Sequence, residues 1–101
     1  MNYTQPVYLG RFRAMRAGDV EDRYIDISGD LDTGETVTSA VVTVADSGGD
    51  TVAAVSNQTY SAARMDFRLT APATAGGYTL TAAFTISDGQ QITRYAQFLV
   101  V

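Results

Sequence analysis

The chain has 101 residues, which is enough for one domain of ordinary size and too few for two. Its net charge is −4 and its seven positive residues are scattered arginines, so it lacks the dense positive charge that binds a nucleic-acid backbone. It contains no cysteine and no histidine, which excludes disulfides, the usual zinc sites and the catalytic dyads and triads built on those residues. No apolar run of about 20 residues is present, so we expect no membrane-spanning segment.

The first half of the chain predicts strands separated by polar connections, because branched residues alternate with polar ones. In the first segment, Val7 and Leu9 share one face, and a polar connection follows at residues 14–22. In the second strand Ile25 and Ile27 point inward. The predicted strands of this half are residues 7–13, 23–28 and 36–45, and residues 28–35 form a turn-rich connection between the last two.

The second half begins with a hairpin turn at residues 46–50, where aspartates flank a Ser-Gly-Gly tip. Residues 60–66 are the best helix candidate, but the segment is too short to be stable alone. The predicted strands of this half are residues 51–56, 65–70, 78–86 and 92–101. About seven short strands separated by turns are typical of a sandwich, and we expect an all-β fold: an immunoglobulin-like antiparallel β-sandwich.

The register of the last hairpin follows from its hydrophobic pattern. A loop made of Asp88 and Gly89 alone would place polar residues opposite the inward row of strand 78–86. A loop of Ser87, Asp88 and Gly89 shifts the pairing by one residue, so that Leu80 faces Ala96, Tyr78 faces Phe98 and Phe84 faces Ile92. Since a slip of one residue sends every side chain to the other face, the core requires the longer loop. Glycine in its third position is the usual chemistry of such a loop.

Two residues of these strands have particular expectations. In the predicted register Arg94 points inward beside Ala82, so its stem should be buried and its head in water or paired. Tyr78 follows two glycines and resembles the tyrosine corner of immunoglobulin-like domains, although a plain core tyrosine is the alternative.

The acidic residues have alternative interpretations. The stretch from Asp30 to Glu35 resembles part of a calcium loop, but Val41 stands where such a loop needs a bidentate glutamate, which favours an acidic turn. Asp46 and Asp50 are interpreted as turn residues. Asp19 with Glu21 or Asp22 suggests a carboxylate pair for acid–base chemistry. No nucleophile neighbours them in the sequence, which favours a solvated loop. We therefore assign no catalytic residue, no metal ligand and no cofactor.

Three stretches and the closing arginine-bearing strand resemble a family of small immunoglobulin-like virion proteins of tailed bacteriophages. The stretches are YIDIS (24–28), GETVTSAVVTV (34–44) and AGGYTLTAAFTISDGQ (75–90). The resemblance covers about residues 18–101. It departs from the family where tryptophans are common, since Ile27 and Val42 stand at those places. It implies a non-enzymatic virion protein, assembled in the host cytoplasm, that decorates or stabilises the head or serves as a neck accessory subunit.

The division of the chain follows from the same resemblance, with residues 1–17 as an N-terminal strand or arm and residues 18–101 as the sandwich. The arm is the expected contact element, because tyrosine, phenylalanine and arginine are enriched in interface cores. Its candidate interface residues are Tyr3, Tyr8, Arg11, Phe12 and Arg13.

The expected partners are other virion proteins of a capsid, connector or tail lattice, reached through the arm and the sheet edges. A homo-oligomer is a further candidate, and neither nucleic acid nor membrane is expected. The alternative function is a receptor- or carbohydrate-binding adhesion module of a tail or fibre. Tyr60 and Tyr95 are additional interface candidates, with half-exposed sheet packing as the equal alternative.

Overall fold

The computed structural model describes the chain from residue 7 onward, and its side chains from residue 8 onward. The described residues form eight strands and one short 3₁₀ turn, Ser28–Asp30. The strands are β1 (Val7–Arg11), β2 (Val20–Asp26), β3 (Val37–Asp46), β4 (Thr51–Val52), β5 (Val55–Tyr60), β6 (Arg64–Thr70), β7 (Gly76–Ile86) and β8 (Gln91–Val100). None of the described residues belongs to a helix long and apolar enough to cross a membrane.

The strands form two sheets that pack as a sandwich. The larger sheet has the order β1-β8-β7-β3-β4, and the smaller sheet has the order β2-β6-β5. The predicted all-β, immunoglobulin-like sandwich is confirmed. Antiparallel pairing holds throughout except for β1, which pairs in parallel with the last strand, β8.

The core lies between the sheets and is built from alternate residues of the long strands. The inward row of β7 is buried along the whole strand, from Tyr78 to Ile86. The smaller sheet contributes the inward residues of β2 and β6. All eight residues predicted to be buried are buried: Ile25, Ile27, Val42, Met65, Phe67, Tyr78, Leu80 and Phe84.

The last hairpin has the predicted register. Tyr78 pairs with Phe98, Leu80 with Ala96 and Phe84 with Ile92. The loop is Ser87, Asp88 and Gly89, closed by backbone hydrogen bonds between Ile86 and Gln90 and between Gly89 and Ile86. The predicted tyrosine corner is also present, since the Tyr78 hydroxyl donates to the carbonyl oxygen of Thr74 at 2.6 Å.

The expected single strand at residues 51–56 was wrong. It is broken at Ala53 and Ala54, so that β4 pairs with β3 in the larger sheet and β5 pairs with β6 in the smaller sheet. The buried Ala54 accepts a backbone hydrogen bond from Thr70 at the crossing point. Alternation alone could not show where the chain changes sheets. The short helix candidate at 60–66 instead lies at the end of β5 and the start of β6.

The polar connection expected at residues 14–22 contains one core residue. Met15 is only 1% exposed, and its amide donates to the carbonyl oxygen of Leu99. The chain after β1 thus remains attached to β8, and Val101 donates back to the carbonyl oxygen of Met15. The segment before β2 is part of the packed sandwich at this position.

Candidate protein-interaction site

The outer surfaces of the two sheets differ in charge. The outer surface of the smaller sheet, here called the charged face, alternates acidic and basic side chains. Its residues are Asp22, Tyr24, Asp26, Arg64, Asp66 and Arg68, all at outward positions of β2 and β6.

The charges of the charged face are paired with one another. Arg64 Nη2 lies 2.6 Å from Asp66 Oδ1, and its guanidinium lies 4.1 Å from the ring centre of Tyr24. The hydrogen bonds from Arg64 hold the pKa of Asp66 below its usual value, and the same contact raises the pKa of Arg64. Arg68 Nε lies 2.9 Å from Asp22 Oδ1. Burying this surface against a partner would require the removal of water from several charges.

The outer surface of the larger sheet, here called the neutral face, carries hydroxyl, amide, small and apolar side chains. Of the described residues that point outward from β1, β3, β7 and β8, Arg11 alone is charged, and it lies on the edge strand. The neutral face comprises Tyr8, Val41, Thr43, Ala45, Gly77, Thr79, Thr81, Ala83, Thr93, Tyr95, Gln97 and Leu99.

A bulge in β1 brings Tyr8 and Arg11 to the same face. Residues three apart in a regular strand point to opposite sides, but the pairing with β8 shifts between these two residues. Gly10, at φ 104°, supplies the left-handed backbone that this bulge requires. Tyr8 therefore lies opposite Tyr95, with 5.1 Å between ring centres, and its hydroxyl donates to Gln97 Oε1 at 3.3 Å.

Phe12 and Arg13 lie elsewhere, between the two sheets at the side of the sandwich. Phe12 packs partly buried against the core, with the Arg23 guanidinium 5.1 Å from its ring centre. Arg13 pairs with Glu21 at 3.1 Å, and Glu21 also pairs with Arg23. The structure thus brings Tyr8 and Arg11 together on the neutral face and separates Phe12 and Arg13 from them.

Tyr3, the remaining predicted interface residue, lies outside the described residues. Tyr95 belongs to the neutral face, whereas Tyr60 donates its hydroxyl hydrogen bond to the carbonyl oxygen of Thr38 at 2.6 Å. Tyr60 is nevertheless 48% exposed.

A depression of about 540 Å³ indents one end of the neutral face. Arg11 stands on one side of it, and Asp46, at the end of β3, stands on the other. Between them lie the small residues Ala45, Gly77 and Thr79. Within the described part of the chain, Arg11 forms no ion pair.

The acidic turns have structural partners. Asp30 forms an ion pair with Arg94, and Asp46 Oδ1 accepts hydrogen bonds from the amides of Gly48 and Asp50. Asp32 donates its backbone amide to the Glu35 carboxylate. Over the residues that the structure describes, no group of three or more acidic, histidine or cysteine side chains could hold a metal ion.

Sequence reasoning predicted a contact surface in the N-terminal arm and did not identify the neutral face. The signal was present in the strands themselves. The outward residues of β7 are Gly77, Thr79, Thr81, Ala83 and Thr85, and none of them is charged. Comparing the outward rows of the two sheets would have shown the difference, but the assignment of strands to sheets was not available from the alternation.

Comparison with solved structures supports the fold. The crystal structure of CopC from Methylosinus trichosporium OB3b matches 89% of this chain and 82% of its own, with a TM-score of 0.53 and 19% sequence identity. At that identity the likeness concerns the fold alone. A search of curated protein sequences found no significant match.

A protein-family model gives a more specific match. It covers residues 15–98 and is described as the podophage GP4 fiber-tail adaptor protein gp77. This agrees with the resemblance to phage virion proteins, although it does not support a head or neck origin. The match begins at the buried Met15, so most of the segment with the predicted interface residues lies outside it. The chain belongs to the podophage fiber-tail adaptor family gp77 and is therefore a phage structural protein.

Proposed function

We propose that the chain is a non-enzymatic adaptor subunit at the junction of a podophage tail and its fibre. The family description supports this location, and it gives no support to the head decoration expected from the sequence. The proposed partners are therefore tail and fibre proteins rather than capsid or connector proteins.

The neutral face is the proposed contact surface of this adaptor. The observation that carries the proposal is the separation of charge between the two sheets. Charged residues make up 18% of the chain, yet the neutral face holds none apart from Arg11 at its rim. Interface cores are depleted in charge and enriched in tyrosine, because a neutral surface can be buried without desolvating ions.

The N-terminal segment extends this surface. Tyr8 and Arg11 add an aromatic ring and a guanidinium to the edge of the neutral face. Phe12 and Arg13 hold the segment against the sandwich through Arg23 and Glu21. We therefore retain residues 1–17 as a proposed contact element, with Phe12 and Arg13 as its anchors.

The test is incorporation into particles. Thr81→Arg places a charge in the middle of the neutral face, and the adaptor should then be lost from purified virions. Ser56→Arg is the matched control, because Ser56 points outward beside Arg68 on the smaller sheet. Deleting residues 1–16 would be a poor test, because it also removes the buried Met15.

Quantitative mass spectrometry of particles, together with thermal melting of each isolated variant, provides the measurement. Normal incorporation of a folded Thr81→Arg variant would contradict the proposal. If the isolated wild-type chain in addition bound host glycans, the adhesion function would replace it.

A further inference from the structure

We infer that the open edge of β2 accepts an extended segment of a second virion protein as an added antiparallel strand. The segment that fits has two basic residues four positions apart and an apolar residue midway between them. The inference rests on the proposed function in one respect, since an adaptor joins two partners and needs a contact surface besides the neutral face. Its own content is the place of that second contact and the chemistry of the segment.

β2 lies at one end of the smaller sheet, and among the described strands only β6 pairs with it. Its seven residues pair with β6 one by one, from Val20 opposite Thr70 to Asp26 opposite Arg64, without a bulge. A regular edge strand presents a row of unpaired amide and carbonyl groups with which another chain can pair. The geometry of β2 is therefore suited to strand addition.

The backbone groups on the open side of β2 follow from the hydrogen bonds at its two ends. The carbonyl oxygen of Asp19 accepts from the Ala71 amide, and the Ile27 amide donates to the carbonyl oxygen of Ala63. Because Ala63 and Ala71 flank β6, the odd-numbered residues of β2 direct their backbone groups toward β6. Successive residues of an antiparallel strand bond to opposite sides. The residues that present amide and carbonyl groups to the open side are therefore Val20, Asp22, Tyr24 and Asp26.

The other edges of the sandwich are less suited to strand addition. β1 has five residues and is interrupted by the bulge at Gly10, and β4 has only two residues. On the edge of β3, the side chains of Gln58 and Tyr60 already occupy backbone groups of Val42 and Thr38. β5 is irregular, since its register with β6 shifts within the strand. Among the described strands, β2 is thus the longest edge that is both regular and unoccupied.

The outward side chains of β2 determine which segment fits beside it. Asp22, Tyr24 and Asp26 stand in one row along the open edge. Asp22 Oδ1 accepts from Arg68 and Asp26 Oδ1 accepts from the Ser28 amide, which leaves Oδ2 of each aspartate for a cation on the added strand. Tyr24, which is 57% exposed, offers its ring to an apolar side chain between the two cations.

The charge of the strand and of the whole chain favours a basic segment. β2 carries three carboxylates and one guanidinium, and the chain has a net charge of −4. A strand added beside β2 extends the smaller sheet sideways and leaves the charged face in contact with water. The contact therefore avoids the cost of removing water from the ion pairs of that face.

The experiment uses the peptide acetyl-TKTVTKT-amide, whose lysines and valine would lie opposite Asp22, Tyr24 and Asp26. We expect the full-length chain to bind it in an NMR titration. In the antiparallel register the lysines and the valine direct their amides toward β2. N-methylation of these three residues should therefore weaken binding at least about tenfold, because it removes three hydrogen bonds. N-methylation of three of the threonines, which leaves the charge the same, should not weaken binding.

Variants of β2 separate backbone pairing from side-chain effects. Tyr24→Pro removes an amide on the open side and keeps the bonds to β6, since proline is tolerated where the N–H of an edge strand faces solvent. It should bind the peptide at least about fivefold more weakly than Tyr24→Ala, which loses the same ring and keeps the amide. Asp26→Asn should also weaken binding, whereas Asp50→Asn in the turn at residues 46–50 removes the same charge and should not.

Amide hydrogen exchange of the wild type gives a readout that needs no variant. The amides of Asp22 and Tyr24 should exchange fast in the free chain and slowly with the peptide bound. The Arg23 amide, which faces β6, should exchange slowly in both states. Thermal melting shows whether each variant is folded.

The outcomes separate this inference from the proposed function. The inference is overturned if the peptide does not bind, if the two methylated peptides bind alike, or if the Asp22 and Tyr24 amides are unaffected by the peptide. Loss of affinity only on threonine methylation would overturn the antiparallel register. If the peptide does not bind but Thr81→Arg is lost from particles, the adaptor function stands and the β2 contact fails. If the peptide binds as expected but Thr81→Arg enters particles normally, the neutral face fails as a contact and the β2 contact stands.

Discussion

Arg94 of β8 forms an ion pair with Asp30, whose Oδ2 lies 2.9 Å from Arg94 Nη2. The pair connects the larger sheet to the 3₁₀ turn that follows β2 of the smaller sheet. Arg94 is 7% exposed and lies opposite Ala82, as the hairpin register predicts. A charge at this depth depends on its partner, because it has little access to water.

Removing that partner should destabilise the fold. We expect Asp30→Ala to lower the free energy of unfolding by about 1–3 kcal/mol, since it leaves the Arg94 guanidinium without its carboxylate. The double variant Asp30→Ala with Arg94→Leu should recover part of the loss, because no buried charge is then left unpaired. Denaturant titrations of the three proteins give the comparison. Equal stability of wild type and Asp30→Ala would show that water replaces the carboxylate.

Met15 should behave as a core residue although it precedes the first strand of the smaller sheet. Met15→Ala should cost about 2–5 kcal/mol, because it leaves a cavity in the core. The adjacent Arg16→Ala is the control, since Arg16 is exposed, and it should stay within about 0.5 kcal/mol of the wild type. Chemical unfolding measures both. Similar effects of the two substitutions would mean that the N-terminal segment does not contribute to the core.

The last hairpin should be sensitive to its third loop residue. Gly89 has φ +89°, and an added side chain meets nothing within 4 Å, so the expected cost of Gly89→Ala is backbone strain alone. We expect about 1–2 kcal/mol. Gly29→Ala is the matched control, because space is equally open there and the backbone is not left-handed. A thermal melt that places the two variants together would contradict the three-residue loop.

The ion pair of Arg64 and Asp66 on the charged face should stabilise the fold less in acid. In the folded chain the Arg64 hydrogen bonds lower the pKa of Asp66 from 3.8. The Arg64–Asp66 pair therefore contributes its full stabilisation of the fold above pH 3.8. It is lost as the pH falls through the lowered, folded-state value. Melting temperatures measured from pH 7 downward should therefore fall less steeply below pH 4 for Asp66→Asn than for the wild type. In 1 M NaCl the difference should shrink, since the pair is exposed to solvent. A steeper decline in the variant would reverse the sign and contradict the assignment.

Much of the fold could be predicted because a strand with one buried face has a period of two. Leu80 and Phe84 lie opposite apolar residues of β8 in only one hairpin register, and that register also placed Phe98 and Arg94. The N-terminal segment is different. Met15 is the one large apolar residue between Phe12 and Val20, so no period marks it as buried, and its hydrogen bonds join it to Leu99 and Val101 at the far end of the chain.

The candidate site was less predictable than the fold. Composition predicted Tyr8 and Arg11 as contact residues, and their placement on one face depends on the bulge at Gly10. The neutral face depends on which strands share a sheet. The change of sheet at Ala53 and Ala54 is a tertiary event with no local signal, and it places β4 beside β3 and β5 beside β6.

The Gln58 side chain of β5 reaches Val42 of β3 across the gap between the sheets. Gln58 Oε1 accepts from the Val42 amide at 2.9 Å, and Gln58 Nε2 donates to the Val42 carbonyl oxygen at 3.2 Å. These are the two bonds that an added strand would make there, so a foreign strand would have to displace the amide first. The side chain therefore blocks the addition of a foreign strand to this part of the β3 edge.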